Sequence, residues 1–241
     1  MEYIKFVNFS VYYRLKNNYA IALNNVSLSV AEGELAVVVG PSGCGKTTLL
    51  KSIFRETGGT SKGILRLHGR DIDNINIAKE QIAYVSQNYS LTPTMTVYDN
   101  IAYPLRMLRV DPTEVDQRVR SIAKDLGIYP LLTRKPRQLS GGQHQRAAIA
   151  RALVKKPRLI LMDEPFAHLD PTIRKNMREL LKKVHSRTGC TILFVTHDLP
   201  EAFALADRII VMRDGEIEEC GSPKQLEECH NSELLKEFFG R

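Results

Sequence analysis

The chain has 241 residues and carries 34 lysines and arginines against 27 acidic residues, which gives a net charge of +7. This length suffices for one large domain or two small lobes around a substantial core. No run approaches the roughly 18 apolar residues of a membrane span, the first residues lack a signal peptide, and the bases are mixed with acids without a nucleic-acid-binding motif, so we expect a cytoplasmic protein with no nucleic-acid partner.

The first predicted elements are two strands, residues 4–11 and 22–30, separated by a polar loop at residues 14–18. Paired as a hairpin, they would form an antiparallel flank to a sheet. Tyr12 and Tyr13 end the first strand, where an aromatic ring could stack on an adenine. A tyrosine pair at a strand end is, however, more often simple packing.

The next element is a complete match to the phosphate-loop pattern G-x-x-x-x-G-K-[ST], between a strand-like run at residues 35–39 and a helical run at residues 48–54. Its glycines let backbone N–H groups turn toward one point, Lys46 adds a full positive charge, and the hydroxyl of Thr47 can bind Mg²⁺. The pattern therefore predicts a site for a nucleoside triphosphate. The matching residues are Gly40, Pro41, Ser42, Gly43, Cys44, Gly45, Lys46 and Thr47.

The four cysteines are scattered without a C-x-x-C pair, which indicates neither a zinc site nor a disulfide framework. We expect Cys190, Cys220 and Cys229 to be buried or partly buried thiols. Cys44 differs from them, because Lys46 could acidify its thiol and open it to alkylation.

Further strands are predicted at residues 64–68 and 82–86, each next to turn-forming residues. The second of these strands leads to Gln87. A glutamine at a strand end can bind a metal or orient a water, yet alone it would be an ordinary polar loop residue.

From about residue 88 to about residue 155 the pattern turns helical, which indicates a separate helical lobe. Asp111 is a predicted N-cap, followed by a proline in the first helical position and by Glu114 as a capping-box partner. Ser140 and Gln143 form a second capping box ahead of an alanine-rich helix. The two glycines between them lie at a helix N-terminus, which makes this turn a second anion-binding device.

The sheet resumes with an apolar strand that ends in Asp163 and Glu164. Behind a phosphate loop, Asp163 is placed to hold Mg²⁺ and Glu164 to accept a proton from an attacking water. Asp170 then caps another helix. A strand at residues 191–195 leads to His197; a lone histidine is usually structural, but at the end of a core strand of an NTPase it can touch the terminal phosphate.

The last predicted elements are a hairpin, with strands at residues 208–212 and 216–219, and one amphipathic helix over residues 223–239. We find no internal repeat. Each motif therefore occurs once per chain.

Together these motifs resemble those of the ATP-binding subunit of ABC transporters, over nearly the full length of the chain. His144 is a mild departure, since a basic or polar residue more often follows the signature glutamine, and it leaves the motif intact. The matches are residues 40–48 to Walker A, Gln87 to the Q-loop, residues 139–143 to the signature, residues 159–164 to Walker B with its catalytic glutamate, Asp170 to the D-loop and His197 to the switch histidine.

The resemblance implies an α/β P-loop NTPase with a RecA-like parallel core, an antiparallel β flank and an inserted helical subdomain. In this single ABC ATPase domain of residues 1–241, residues 1–87 and 156–241 would form the core lobe. Residues 88–155 would form the helical subdomain that carries the signature.

The resemblance also implies the roles of the site residues. An aromatic residue ahead of Walker A should stack on the adenine; Tyr13 matches best by position, and Tyr12 and Tyr19 stay open. The implied catalytic residues are Lys46, Gln87, Glu164 and His197, and the implied Mg²⁺ ligands are Thr47, Gln87 and Asp163. The implied ATP contacts are Tyr13, Gly40, Pro41, Ser42, Gly43, Cys44, Gly45, Lys46, Thr47, Thr48, Ser140, Gly141, Gly142, Gln143 and Asp170.

As a member of this family, the chain would bind and hydrolyse ATP on the cytoplasmic face of the membrane and energise solute import through separate permease subunits. A second copy, paired head to tail, and an extracytoplasmic solute-binding protein are the other expected partners. The segment at residues 91–100 resembles importer subunits. Since the chain stops at Arg241, we expect no regulation through a domain after the ATPase core.

Two other functions are compatible with a phosphate loop. A soluble ATPase of the same superfamily, acting in translation or DNA maintenance, would usually carry two ATPase cores or a long coiled-coil insertion. A nucleotide-binding regulator without turnover would not need Glu164 and His197.

The segment from Gln87 to about residue 100 is the expected contact with the permease. Its apolar residues would supply that contact, although packing inside the helical lobe could also explain them. They are Tyr89, Leu91, Met95 and Val97.

Overall fold

The structure is a computed structural model, which describes residues 2–16, 18–87, 91–167 and 169–240. It divides into two compact units, Met1–Glu80 with Thr188–Arg241 and Gln81–Arg187. Over the described residues, no helix combines the length and apolar character that crossing a bilayer requires. In chain order the elements are β1 (Glu2–Arg14), β2 (Tyr19–Ala31), β3 (Leu35–Val39), α1 (Lys46–Phe54), β4 (Thr60–Leu67), β5 (Arg70–Asp71), β6 (Ile82–Val85), α2 (Val97–Met107), α3 (Pro112–Asp125), α4 (Gly141–Leu153), β7 (Leu159–Asp163), α5 (Pro171–Thr188), β8 (Thr191–Thr196), α6 (Leu199–Leu205), β9 (Arg208–Arg213), β10 (Glu216–Gly221), α7 (Pro223–Glu228) and α8 (Glu233–Phe239).

The first unit contains an antiparallel sheet in the order β2-β1-β4-β5. Its main hairpin, β1 with β2, pairs from Glu2 opposite Ala31 to Arg14 opposite Tyr19. The predicted hairpin is therefore confirmed, and both strands run further toward the turn than the apolar alternation alone indicated.

The first unit also contains the strand that leads into the phosphate loop. β3 pairs in parallel with β8 on one side and with β9 on the other, and every residue of β3 is buried. A continuous apolar strand is expected where both faces of a parallel sheet are covered. The predicted hairpin at residues 208–219 is confirmed as β9 and β10, which are antiparallel.

The predicted single helix over residues 223–239 is wrong, because the chain forms α7 and α8 with a break between them. The Glu219 carboxylate accepts hydrogen bonds from the N–H groups of Asn231 and Ser232, each at 3.0 Å. The Ser232 hydroxyl then accepts the N–H of Leu235 and caps α8. These bonds satisfy the backbone groups that a continuous helix would have paired.

The second unit contains the parallel pair β6 and β7 together with α2, α3 and α4. The Asp111 side chain caps α3 by accepting the N–H groups of Thr113 and Glu114, which confirms the predicted helix start. The Glu114 carboxylate, predicted to complete a capping box, instead contacts Arg118 one turn further on. The unit also includes β6, β7 and α5, so it is larger than the predicted subdomain at residues 88–155, whose boundaries stay a prediction.

Candidate functional site

The phosphate loop lies between β3 and α1, and its lysine is held in place. The Lys46 ammonium donates hydrogen bonds to the carbonyl oxygens of Gly40 and Pro41, both at 2.8 Å, and the residue is only 5% exposed. Gly45 adopts φ +102°, and a Cβ there would lie 2.3 Å from the carbonyl oxygen of Ala22. Only glycine fits this position. The loop thus holds the Lys46 ammonium in a fixed position, and at Gly45 its backbone adopts a conformation that only glycine fits.

Cys44 does not behave as predicted. Its side chain is buried, at 3% exposure, and this burial raises the pKa of the thiol. Lys46 acts in the opposite direction but does not outweigh the burial. The prediction of an acidified, alkylation-prone thiol is therefore wrong. The expectation of buried or partly buried thiols also fails for Cys220 and Cys229, which are exposed.

The three candidate tyrosines have different surroundings. Tyr13 is half-buried, and its hydroxyl lies 3.5 Å from the Thr48 hydroxyl in the first turns of α1. Tyr12 is the adjacent strand residue, so its side chain points to the other face of the sheet, where the Lys62 ammonium lies 5.8 Å from its ring centre. Tyr19 is 67% exposed. Tyr13 therefore contacts the phosphate-loop helix.

His197 follows β8 directly, at the same edge of the sheet as the phosphate loop. The last residue of β8, Thr196, is in register with Val39, which directly precedes Gly40. The Thr196 hydroxyl donates to the Glu201 carboxylate at 2.8 Å and accepts the N–H of Asp198 at 3.0 Å. These bonds fix the backbone on both sides of His197.

The sequence motifs do not include Glu201 or the helix α6 that carries it. Glu201 is almost completely buried, and its N–H donates to the Asp198 side chain at 2.8 Å. A signal was present, since an aspartate followed three residues later by a glutamate is typical of a helix start.

In the second unit, β6 and β7 bring Gln87 and the two acids to one edge, because Val85 is in register with Met162. Asp163 is 8% exposed, and its carboxylate accepts a hydrogen bond from the Tyr84 hydroxyl at 2.9 Å. An oxygen-only donor at a strand end fits Mg²⁺, which prefers carboxylate oxygens. Glu164 has φ +45°, a left-handed conformation that costs free energy in a non-glycine residue.

The predicted capping box at the signature is confirmed. The Gln143 N–H donates to the Ser140 hydroxyl at 3.5 Å, and the Ser140 N–H donates to the Gln143 side chain at 3.1 Å. Gly141 is exposed, and a Cβ there would meet its nearest neighbour, Leu169, at 3.5 Å, an ordinary contact. The Asp170 carboxylate accepts the N–H of Ile173 at 3.0 Å and so caps α5 as predicted. The start of α4 is therefore open to solvent and lies next to the residue that precedes Asp170.

The predicted permease contacts are mostly internal. Leu91 and Val97 are buried, so packing within the unit explains them, while Met95 is half-buried and Tyr89 lies outside the described residues. Among the described residues of this unit, one group of exposed apolar side chains lies at the end of α2, where Met107 is 65% exposed. With it, Tyr103 and Leu108 form what we call the α2 patch.

The sequence matches the family described as "ABC transporter" over residues 23–167. It is 46% identical over 219 residues to an sn-glycerol-3-phosphate import ATP-binding protein, UgpC, of Vibrio cholerae, an alignment that covers 91% of this chain and 59% of UgpC. It is 40% identical over 218 residues to a spermidine/putrescine import ATP-binding protein, PotA, of Hahella chejuensis, covering 90% of this chain and 60% of PotA. The chain thus spans about three fifths of the length of these curated relatives.

The chain is also similar to solved structures of ATP-binding cassettes. The dimeric ATP-binding cassette MJ0796, in a post-hydrolysis state with ADP and Pi bound, superposes with a TM-score of 0.81 and 33% identity, over 91% of this chain and 98% of that one. CbiO1 of Clostridium perfringens, part of the ABC transporter complex cbiONQ, has a TM-score of 0.84 and 28% identity, over 95% of this chain and 92% of that one. These likenesses confirm the predicted α/β fold of a P-loop NTPase.

Proposed function

The chain belongs to the ABC transporter family, and from this premise we propose that it binds and hydrolyses ATP to drive solute import through separate membrane subunits. The proposal is carried by the position of Lys46. Its ammonium is buried and donates hydrogen bonds to two carbonyl oxygens of the phosphate loop, in which Gly45 has a conformation that only glycine fits. Import is supported by UgpC and PotA, which are both named as import ATP-binding proteins. The solute is left open, because these two relatives serve different ones.

The proposed roles in hydrolysis are those that the family resemblance implies for individual residues. Thr47, Gln87 and Asp163 are the proposed Mg²⁺ ligands, and the bound ion would neutralise charge that develops on the transferred phosphoryl group. Glu164 is the proposed general base, and His197 and Lys46 bind the terminal phosphate. Tyr13 stacks on the adenine, and its contact with Thr48 supports this choice over Tyr12 and Tyr19.

Two copies of the chain are proposed to share each nucleotide. The phosphate loop of one chain binds ATP, and residues 140–143 of the other, with Asp170 beside them, complete the site. The support is the open N-terminus of α4, where Ser140 and Gly141 are exposed, and the dimeric state of MJ0796. Backbone N–H groups and the Ser140 hydroxyl would add hydrogen bonds to the γ-phosphate only in the closed dimer.

Mixing two inactive variants tests this proposal. Lys46→Ala disables the phosphate loop and Ser140→Arg disables the signature turn. In a mixed pair, one composite site carries both defects and the other carries none, so ATP hydrolysis should return on mixing. The proposal of a shared site would be contradicted if the specific ATPase activity of the wild-type chain did not depend on enzyme concentration over a range where sedimentation shows only monomer.

Glu164→Gln tests the assignment of the base. Nucleotide affinity should be preserved, since the neutral amide keeps the shape, while hydrolysis falls by roughly 10²- to 10⁴-fold. Turnover at the wild-type rate would show that another group activates the water.

Permease subunits are the proposed membrane partners, and the chain would lie peripherally on the cytoplasmic face with a solute-binding protein on the other side. The proposed contact is the α2 patch, since its exposed apolar area is what a partner would cover. Crosslinking from a cysteine at Met107 should capture a permease subunit, whereas a cysteine at the exposed Lys236 of α8 should not. The reverse pattern would move the contact to the first unit.

A further inference from the structure

One hydrogen bond in the second unit involves a residue to which the proposed function gives no role. Tyr84, in β6, is half-buried, and its hydroxyl donates to the Asp163 Oδ2 at 2.9 Å. Tyr84 is in register with Leu161, two residues before Asp163 on the same strand. Side chains two apart on a strand share a face, so the tyrosine ring reaches along the strand direction to the carboxylate.

The chemistry of this contact follows from the environment of Asp163. The carboxylate oxygens of an aspartate accept hydrogen bonds, and Asp163 is a buried residue, only 8% exposed. A hydroxyl donor on Oδ2 therefore restricts rotation of the carboxylate and satisfies part of its capacity. Groups that orient a metal ligand in this way typically contribute a factor of about 10 to 100 to metal affinity.

We propose that Tyr84 is a positioning residue that orients the Asp163 carboxylate for Mg²⁺. This inference rests on the proposed function, because it takes Asp163 as a metal ligand. Tyr84 would not touch the nucleotide or the metal itself. Removing its hydroxyl should weaken Mg²⁺ binding and leave the binding of metal-free nucleotide unchanged.

The experiment compares wild type with Tyr84→Phe, which keeps the ring and removes only the hydroxyl. A fluorescent non-hydrolysable ATP analogue is bound first without metal and then titrated with Mg²⁺. The expected result is a Mg²⁺ midpoint about tenfold higher in Tyr84→Phe, with equal metal-free affinity for the analogue. The melting temperature without ligand serves as a check that the fold is intact.

The chain offers a matched control in the same unit. The Tyr98 hydroxyl donates to the Asp116 carboxylate at 3.1 Å, and neither residue belongs to the proposed site. Tyr98→Phe should therefore leave the Mg²⁺ midpoint at the wild-type value.

An unchanged midpoint in a folded Tyr84→Phe protein would overturn the proposal, and so would an equal rise in Tyr98→Phe. A wild-type chain that binds the analogue neither with nor without Mg²⁺ would overturn the proposed function as well. The two failures are thus distinguishable.

Discussion

The phosphate loop, residues 40–48, and the signature turn, residues 140–143, both present backbone N–H groups at the start of a helix. In α1 the N-cap is Gly45, which supplies no side-chain cap, whereas in α4 Ser140 and Gln143 cap each other. The start of α1 therefore has no side-chain cap from its N-cap residue, whereas the N–H groups of α4 are partly satisfied by Ser140 and Gln143.

The two devices also differ in what surrounds them. Lys46 is buried and bonded to the loop, while Ser140 and Gly141 are exposed and have room around them. This contrast distinguishes the proposed roles of the two helix N-termini. In the proposed dimer, the preorganised loop would bind ATP in the isolated chain, and the open turn would act only when the partner chain brings its nucleotide to it.

The largest expected effect separates binding from turnover. Lys46→Ala should lower the ATP affinity of the isolated chain by at least about 100-fold, because it removes charge-assisted hydrogen bonds worth about 3 kcal/mol. Ser140→Arg should leave that affinity nearly unchanged and abolish hydrolysis. Calorimetric titration of the monomeric protein with ATP measures the affinities of both variants. Comparable losses of affinity in the two variants would remove the distinction between the devices.

A smaller effect is expected on stability when alanine replaces one glycine in each device. Gly45→Ala meets a backbone oxygen at 2.3 Å and a left-handed φ, so it should cost about 2 kcal/mol or more in unfolding free energy. Gly141→Ala should change stability by less than about 1 kcal/mol, since the nearest atom is 3.5 Å away and alanine favours a helix. Urea unfolding monitored by circular dichroism provides the comparison, and equal costs would contradict it.

The features predicted from the sequence are those encoded by neighbouring residues. The hairpin of β1 and β2 follows from alternation, and the Ser140–Gln143 capping box follows from a spacing of three. The break before α8 depends on Glu219, which lies 12 and 13 residues from the N–H groups it accepts, and no local pattern contains that contact. The bond from Tyr84 to Asp163 joins strands 79 residues apart, so it too required the structure.

The smallest expected effect concerns Cys44, whose burial is a further consequence of the tightly packed phosphate loop. Since burial raises the pKa of this thiol and only the thiolate is nucleophilic, iodoacetamide should label Cys44 more slowly at neutral pH than the exposed Cys220 and Cys229. Cys190, whose pKa is also raised by burial, should be slow as well. Labelling of Cys44 should continue to accelerate as the pH rises past about 8.5, the ordinary pKa of a free thiol, where the labelling rate of an ordinary thiol begins to level off.

The variant Lys46→Ala tests how the charge of Lys46 changes the pKa of the Cys44 thiol. Lys46 lowers the pKa of the Cys44 thiol, so its removal should raise that pKa further and slow labelling at a given pH, provided the loop stays closed. Peptide mass spectrometry after timed alkylation resolves all four cysteines in one sample. If Cys44 reacts as fast as Cys220 in the wild type, or faster in Lys46→Ala, then the loop opens in solution, and its binding site is formed by the nucleotide rather than in advance of it.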